Sequence, residues 1–164
     1  MAWHSRARLG ADREGLLVDN GAHDNLVGEA WVERMIALRR AQGFDDVIVK
    51  PLMQPITVEG VGDKAPVCTH QVEMPTALPD GTIGVYTAPI VPGAQIPALF
   101  GNKSLKRNRT IIDTIGNRIL FLGEGDYTIN YPKGTKVYQL EQSPSGHSML
   151  PVTEFAAAGR PSPQ

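Results

Sequence analysis

Three short patterns in this chain place chemically useful residues where they could act. The run Leu16-Leu17-Val18-Asp19-Asn20-Gly21-Ala22 carries a carboxylate from an apolar strand into a tight turn. The glycine lets other backbone come close to that turn, and a carboxylate placed this way can serve as a general acid or base. Asp-Asn-Gly is also ordinary turn chemistry, so the triplet by itself decides little. The second pattern, Gly60-Val61-Gly62, is a hairpin tip flanked by strand-like residues, and the third, Leu99-Phe100-Gly101, is an apolar pair and a glycine ahead of a short helix. Other candidates are poorer. His4, His23, His70 and His147 are scattered without metal-ligand spacing. Gly60-Val61-Gly62 lacks the following helix and Lys-Ser/Thr of a phosphate loop. Ser143-Pro144-Ser145-Gly146 lacks the Gly-x-Ser-x-Gly frame of a nucleophile elbow. Cys68 lies two residues from His70 on one strand face, but no other part of a cysteine-protease pattern accompanies it, and it reads as a half-buried structural thiol.

The elements that must position these residues follow from hydrophobic period. Gly15-Leu16-Leu17-Val18 is a short run suited to a buried strand ending at Asp19. Trp31, Met35 and Leu38 recur on one helical face with Arg34, Arg39 and Arg40 off it, and Gly43 supplies a stop, predicting a helix from about 28 to 42. From Val47 the period becomes that of strands: 47–49, 56–58, 67–69, 83–86 and 89–91, separated by Gly, Pro and Asp. Ser104-Leu105-Lys106-Arg107 predicts a second, short helix. Residues 110–113 and 118–122 predict a hairpin around Ile115-Gly116-Asn117, and 127–129 and 136–140 predict further strands. Thirteen prolines and seventeen glycines fit this turn-rich β arrangement better than a helical bundle.

At 164 residues the chain fits one domain. A formal net charge of -1 provides no general pull toward nucleic acid or anionic membrane. The cluster Lys103, Lys106, Arg107 and Arg109 is followed by Asp113, Glu124 and Asp126 and reads as a solvated face. The lone cysteine excludes an internal disulfide and fits a reducing compartment. No apolar run reaches membrane-spanning length, so the expectation is a soluble, intracellular, cytoplasmic protein without nucleic-acid or membrane partners.

Taken in order, these patterns resemble the retropepsin-like aspartic proteases, with the nearest likeness to protease segments of retrotransposon polyproteins and to the DNA-damage-inducible, ubiquitin-linked proteases. The family pattern is an apolar pair, Asp-Thr/Ser-Gly-Ala, a helix, a glycine-rich flap, then an apolar pair plus Gly and a further helix. Here the corresponding residues are Leu17-Val18, Asp19-Asn20-Gly21-Ala22, the helix with Trp31 and Met35, Gly60-Val61-Gly62, and Leu99-Phe100-Gly101 before Ser104-Leu105. The likeness covers roughly residues 15–123. It implies a mainly β fold, a closed acid-protease barrel with one amphipathic helix after the catalytic turn and a short helix before the last core hairpin. It also implies a flexible leader over 1–13, a protease domain over 14–142 and a flexible polyprotein-like tail over 143–164.

The resemblance assigns roles too. Asp19 is the catalytic residue. Gly21, Ala22, Asp24 and the flap residues Gly60, Val61 and Gly62 bind substrate, and Asn20, Leu99, Phe100 and Gly101 support the site. Such enzymes need two carboxylates sharing one proton, because like charges that close cannot both ionise. Asp113-Thr114-Ile115 lacks the glycine of a second copy and the chain has no internal duplication, so a second chain must supply the partner, giving a C2 homodimer. No metal or cofactor is required. The implied activity is an aspartic endopeptidase acting on an extended peptide or a retrotransposon-type polyprotein at mildly acidic pH. Position 20, Thr or Ser in the family, is Asn here, which keeps donor and acceptor groups but has a different size and shape. The alternative is therefore a protease-fold dimerisation or peptide-binding module with little or no turnover.

Overall fold

The computed structural model describes residues 7–10, 12–59, 64–155, 157 and 159. It is mainly β, and the chain divides into two compact units, Met1–Arg107 and Asn108–Gln164.

In the first unit, β1 (Leu16–Asp19) is followed by β2 (Val27–Gly28), α1 (Glu29–Ala41), β3 (Ile48–Thr57), β4 (Val67–Ala77), β5 (Ile83–Val91), β6 (Ala98–Gly101) and α2 (Asn102–Arg107). Strands β2, β5, β4 and β3 form one sheet in that order. β4 runs antiparallel to both β3 and β5, whereas β2 joins β5 in parallel. β1 and β6 form a separate parallel pair. The expected barrel does not close among the described residues, because β3 ends the sheet with a free edge.

Alternation places Cys68, Val72 and Met74 of β4 and Tyr86 and Ala88 of β5 on one buried face. Helix α1 covers that face with Trp31 and Val32, and Val27 and Ala98 complete the core, with Met35 packed at its margin. Each large apolar side chain so buried contributes about 1.5–3 kcal/mol. The Trp31 and Tyr86 rings meet edge to face with centroids 5.8 Å apart. The helix stops as its sequence implies. Gly43 takes φ +87°, its N–H reaches the Arg40 carbonyl, and the Phe44 N–H reaches the Arg39 carbonyl.

Two pairs of expected strands prove to be single strands. Residues 47–49 and 56–58 fall largely within β3, whose register shifts between Pro51 and Ile56. An edge strand tolerates Pro51 and Pro55 because no outer neighbour needs their missing N–H groups. Likewise 83–86 and 89–91 belong to β5, where Pro89 sits opposite Gln71.

In the second unit, β7 (Thr110–Asp113) and β8 (Arg118–Phe121) form the expected hairpin. Asn117 occupies the left-handed region at its turn, with φ +51°. Asp113 organises the loop. Its Oδ1 accepts from the Ile115 and Gly116 N–H groups, and Oδ2 accepts from two nitrogens of Arg118. A small hairpin of β9 (Glu141–Gln142) and β10 (Ser148–Met149) follows, straddling the expected boundary at residue 142 between protease domain and tail. The strands expected at 127–129 and 136–140 do not form: neither segment has a ladder partner among the described residues.

Gly28 lies where an added Cβ would come within 2.6 Å of the Ile96 carbonyl oxygen and 2.7 Å of that of Ala94. Both obstacles are backbone, so Gly28→Ala is expected to cost about 2–4 kcal/mol in urea unfolding. Gly10→Ala, with open space around it, is expected to stay within about 0.5 kcal/mol; equal losses at both positions would contradict this packing. A second expectation concerns pH. The Gly116 N–H and the Arg118 guanidinium hold the Asp113 carboxyl below its ordinary range. A depressed folded-state pKa means the loop's stabilisation is complete above the ordinary carboxylate value and is lost as pH falls through the depressed one. The Gly116 amide resonance should therefore shift along the acid titration of Asp113; an amide that stays put while the carboxyl titrates would refute the contact.

Candidate functional site

β1 ends at Asp19. Its four residues align with β6 in strict register, Leu16 with Ala98, Leu17 with Leu99, Val18 with Phe100 and Asp19 with Gly101. On its other side β6 is bridged by Leu26, which faces Leu99 and accepts the Leu99 N–H at 2.8 Å. One short strand is thus held between the residues entering the Asp19 turn and those leaving it.

The turn is fixed from several directions. Asp19 Oδ1 accepts hydrogen bonds from the N–H groups of Gly21 at 3.0 Å and Ala22 at 3.2 Å. Oδ2 has no hydrogen-bond partner among the described residues. Past the turn, the Ala22 carbonyl accepts from Asn102 N–H at 2.7 Å and the His23 carbonyl from Lys103 N–H at 2.9 Å. The first turn of α2 is thereby sewn to the loop. Gly101 makes this possible, because a Cβ there would stand 2.5 Å from the Asp24 carbonyl oxygen. Gly21 is less confined, its Cβ position lying 3.2 Å from the Asp19 Oδ1 side-chain atom.

The structure therefore brings together Asp19, Asn20, Gly21, Ala22, Asp24, Leu99, Phe100 and Gly101. Asn20 is exposed at the tip of the turn. Asp24 is also exposed and pairs with Lys103 at 3.6 Å, an ion pair of little energetic weight at such exposure. Leu99 and Phe100 are partly buried behind the turn. Gly60, Val61 and Gly62 lie outside the described residues. The hairpin leading to them is anchored where Val58 N–H meets the Pro66 carbonyl at 2.9 Å.

Two residues unmarked in the sequence reading turn out to hold the site together. Asn25 donates from Nδ2 to the Thr87 carbonyl at 3.1 Å and accepts the Gly101 N–H at 2.9 Å. It ties the Asp19 loop to β5 and β6 at once. Tyr86 donates its hydroxyl toward the Leu26 and Leu99 carbonyls, at 3.1 and 2.7 Å. Burial pushes its phenol pKa well above the ordinary range, so it remains a donor. Neither role could be read from local pattern, since each depends on strands more than ten residues away. A polar Asn shortly after an Asp-x-Gly turn was the available signal.

Two rejected candidates have their reactivity limited by their own surroundings. Asp113 is engaged by Gly116 and Arg118 in its own hairpin, so its carboxylate is occupied. Cys68 is fully rather than half buried, and burial raises its thiol pKa, which suppresses the reactive thiolate. Among the described residues no group of three or more His, Cys, Asp or Glu is placed to hold a metal ion, and no helix is long and apolar enough to cross a membrane.

No protein-family model matches this sequence, and no curated protein matches it. Among solved structures, the chain is similar to the retroviral protease-like domain of Ddi1 from Leishmania major. The TM-score is 0.46 at 20% identity, covering 65% of this chain and 76% of that one. A superposition that loose assigns no activity.

Removing Asn25 tests the staple directly. Asn25→Ala leaves the Gly101 N–H and the Thr87 carbonyl without these partners, and is expected to cost about 2–3 kcal/mol in chemical unfolding. Asn25→Asp keeps an acceptor for Gly101 and loses only the donor to Thr87, so its loss should be smaller. Equal stability of Asn25→Ala and wild type would show that the bridge contributes nothing.

Proposed function

We propose that this chain is one half of an aspartic endopeptidase, in which Asp19 and the Asp19 of a second copy activate a water between them. The observation that carries this reading is the Asp19 carboxylate itself. One oxygen is fixed by two backbone N–H groups, the other has no hydrogen-bond partner among the described residues, and the turn beneath is clamped by β6, α2 and Asn25. A surface turn without function has no need of that clamp. Rigid support of a reactive group is what catalysis requires.

With two such carboxylates facing each other, one ionises and the other keeps its proton. The ionised member takes a proton from water as the oxygen attacks the peptide carbonyl. The protonated member donates to the carbonyl oxygen as it gains negative charge. Collapse of the tetrahedral intermediate breaks the C–N bond, and the amine leaves with a proton from the pair. Backbone at Gly21 and Ala22 and the side chain of Asp24 are assigned to the substrate main chain. The sequence resemblance assigns Gly60, Val61 and Gly62 to the substrate-covering flap, an element whose role in such enzymes is to exclude water. Asn20 supports the paired turns, as do Leu99, Phe100 and Gly101. The substrate class is an extended, apolar peptide, within a retrotransposon-type polyprotein as the sequence resemblance implies, and the protease domain runs over residues 14–142.

Asn20 supports a second reading, that of a peptide-binding dimer with little turnover. Its side chain is exposed at the turn tip, where the family carries a smaller hydroxyl. The two readings separate in one set of assays on an apolar peptide substrate. Asp19→Asn is expected to lower kcat by about a thousandfold or more with the fold intact by circular dichroism; cleavage at the wild-type rate would end the protease assignment. Asn20→Thr is expected to raise kcat by about tenfold with little change in KM, because it restores positioning rather than binding. Peptide binding without turnover in both wild type and Asn20→Thr would favour the binding module.

A further inference from the structure

The Asp19 turn is held at its exit by Asn25 and by the first turn of α2. Its entry rests on β1, a strand of four residues whose one ladder neighbour among the described residues is β6. A strand that short is poorly defended against slipping along its neighbour. A shift of one residue would carry Asp19 about 3.3 Å along the strand and turn its side chain to the opposite face. The entry therefore needs a fixed point outside the ladder.

Glu14 supplies one. It stands just ahead of β1, and its carboxylate side chain is only 4% exposed. Oε1 accepts from Arg34 Nε at 2.6 Å, across twenty residues of chain, and from Arg8 at 3.3 Å. The stretch before it doubles back to make this possible. Asp12 takes φ +54°, and Leu9 lies against Gly15, its Cδ1 3.1 Å from the place a Cβ would occupy. Arg8 is half-exposed, so its share is small. Arg34 is better enclosed and belongs to α1, whose Trp31 is buried and whose Met35 packs, like Leu16 of β1, against the core cluster. An ion pair so enclosed adds little net stability over an apolar replacement, and its best-attested use is to specify one arrangement among several.

We propose that Glu14 and Arg34 are positioning residues for Asp19, their ion pair closing the base of the loop that carries the turn and fixing β1 in register on β6. Each acts through β1, and neither is assigned a contact with substrate. Calling the turn catalytic rests on the aspartic-endopeptidase reading; the clamp itself does not.

Glu14→Gln, Arg34→Gln and the double variant each break the pair. On an apolar peptide substrate each single variant should lower kcat about tenfold or more with KM within about twofold, because misplacing a reacting group weakens chemistry more than binding. The double variant should be no slower than the slower single one, as expected of two residues acting through one contact. Amide exchange followed by NMR gives a readout that needs no turnover. The N–H groups of Gly21 and Ala22, which donate to Asp19 Oδ1, and those of β1 should exchange about tenfold faster, while β4 keeps its wild-type rates. Additive losses in kcat, an effect confined to KM, or exchange raised equally on β4 would each overturn the positioning role. Unchanged exchange at the turn in variants of a chain that cleaves would remove the clamp and leave the protease reading standing. A wild type that cleaves nothing, with variant exchange raised at the turn alone, would do the reverse.

Discussion

The passage of β6 behind the Asp19 turn is the contact on which the first unit depends. A four-residue strand has to lie between chain entering the turn and chain leaving it, which demands backbone against backbone with no side chain between. Gly101 satisfies that demand, standing 2.5 Å, at its Cβ position, from the Asp24 carbonyl. The hydrogen bonds from Asn102 and Lys103 to Ala22 and His23 follow from the same approach. Gly28 plays the corresponding part where the start of α1 meets the loop before β6. Backbone contacts of this kind permit few substitutions, because no rotamer change can relieve them.

From that crossing the rest of the core can be followed outward. The Tyr86 hydroxyl reaches the Leu99 carbonyl of the crossing strand and the Leu26 carbonyl beside it, and its ring carries the contact inward to Trp31 on α1. A buried phenol with two carbonyl acceptors satisfies groups that would otherwise be costly to enclose. Geometry at the turn and packing in the core are therefore not separable. Loosening the Trp31–Tyr86 contact would reach Leu26 and Leu99, and through them the residues beside Asp19.

What the sequence revealed was local. Trp31, Met35 and Gly43 announced α1 and its end because period and capping act within a few residues. The hairpin at Asp113 and Arg118 was legible for the same reason. What stayed hidden needed distant partners. Asn25 reads as another polar loop residue until Thr87 and Gly101 arrive beside it, and the parallel pairing of β1 with β6 joins segments some eighty residues apart. Pro51 and Pro55 looked like interruptions, but an edge strand absorbs them. The opposite error occurred at 127–129 and 136–140, where strand-like composition was real but no partner strand lies among the described residues.

The position of Cys68 has a practical meaning. It is fully buried in β4, on the strand that carries Val72 and Met74, and it is the chain's sole cysteine. A thiol reagent in solution can meet it only when that part of the sheet parts. The pace of its alkylation under native conditions is thus a clock for local opening. It gives each molecule a single built-in reporter of how often its interior is laid bare, with no label to be introduced.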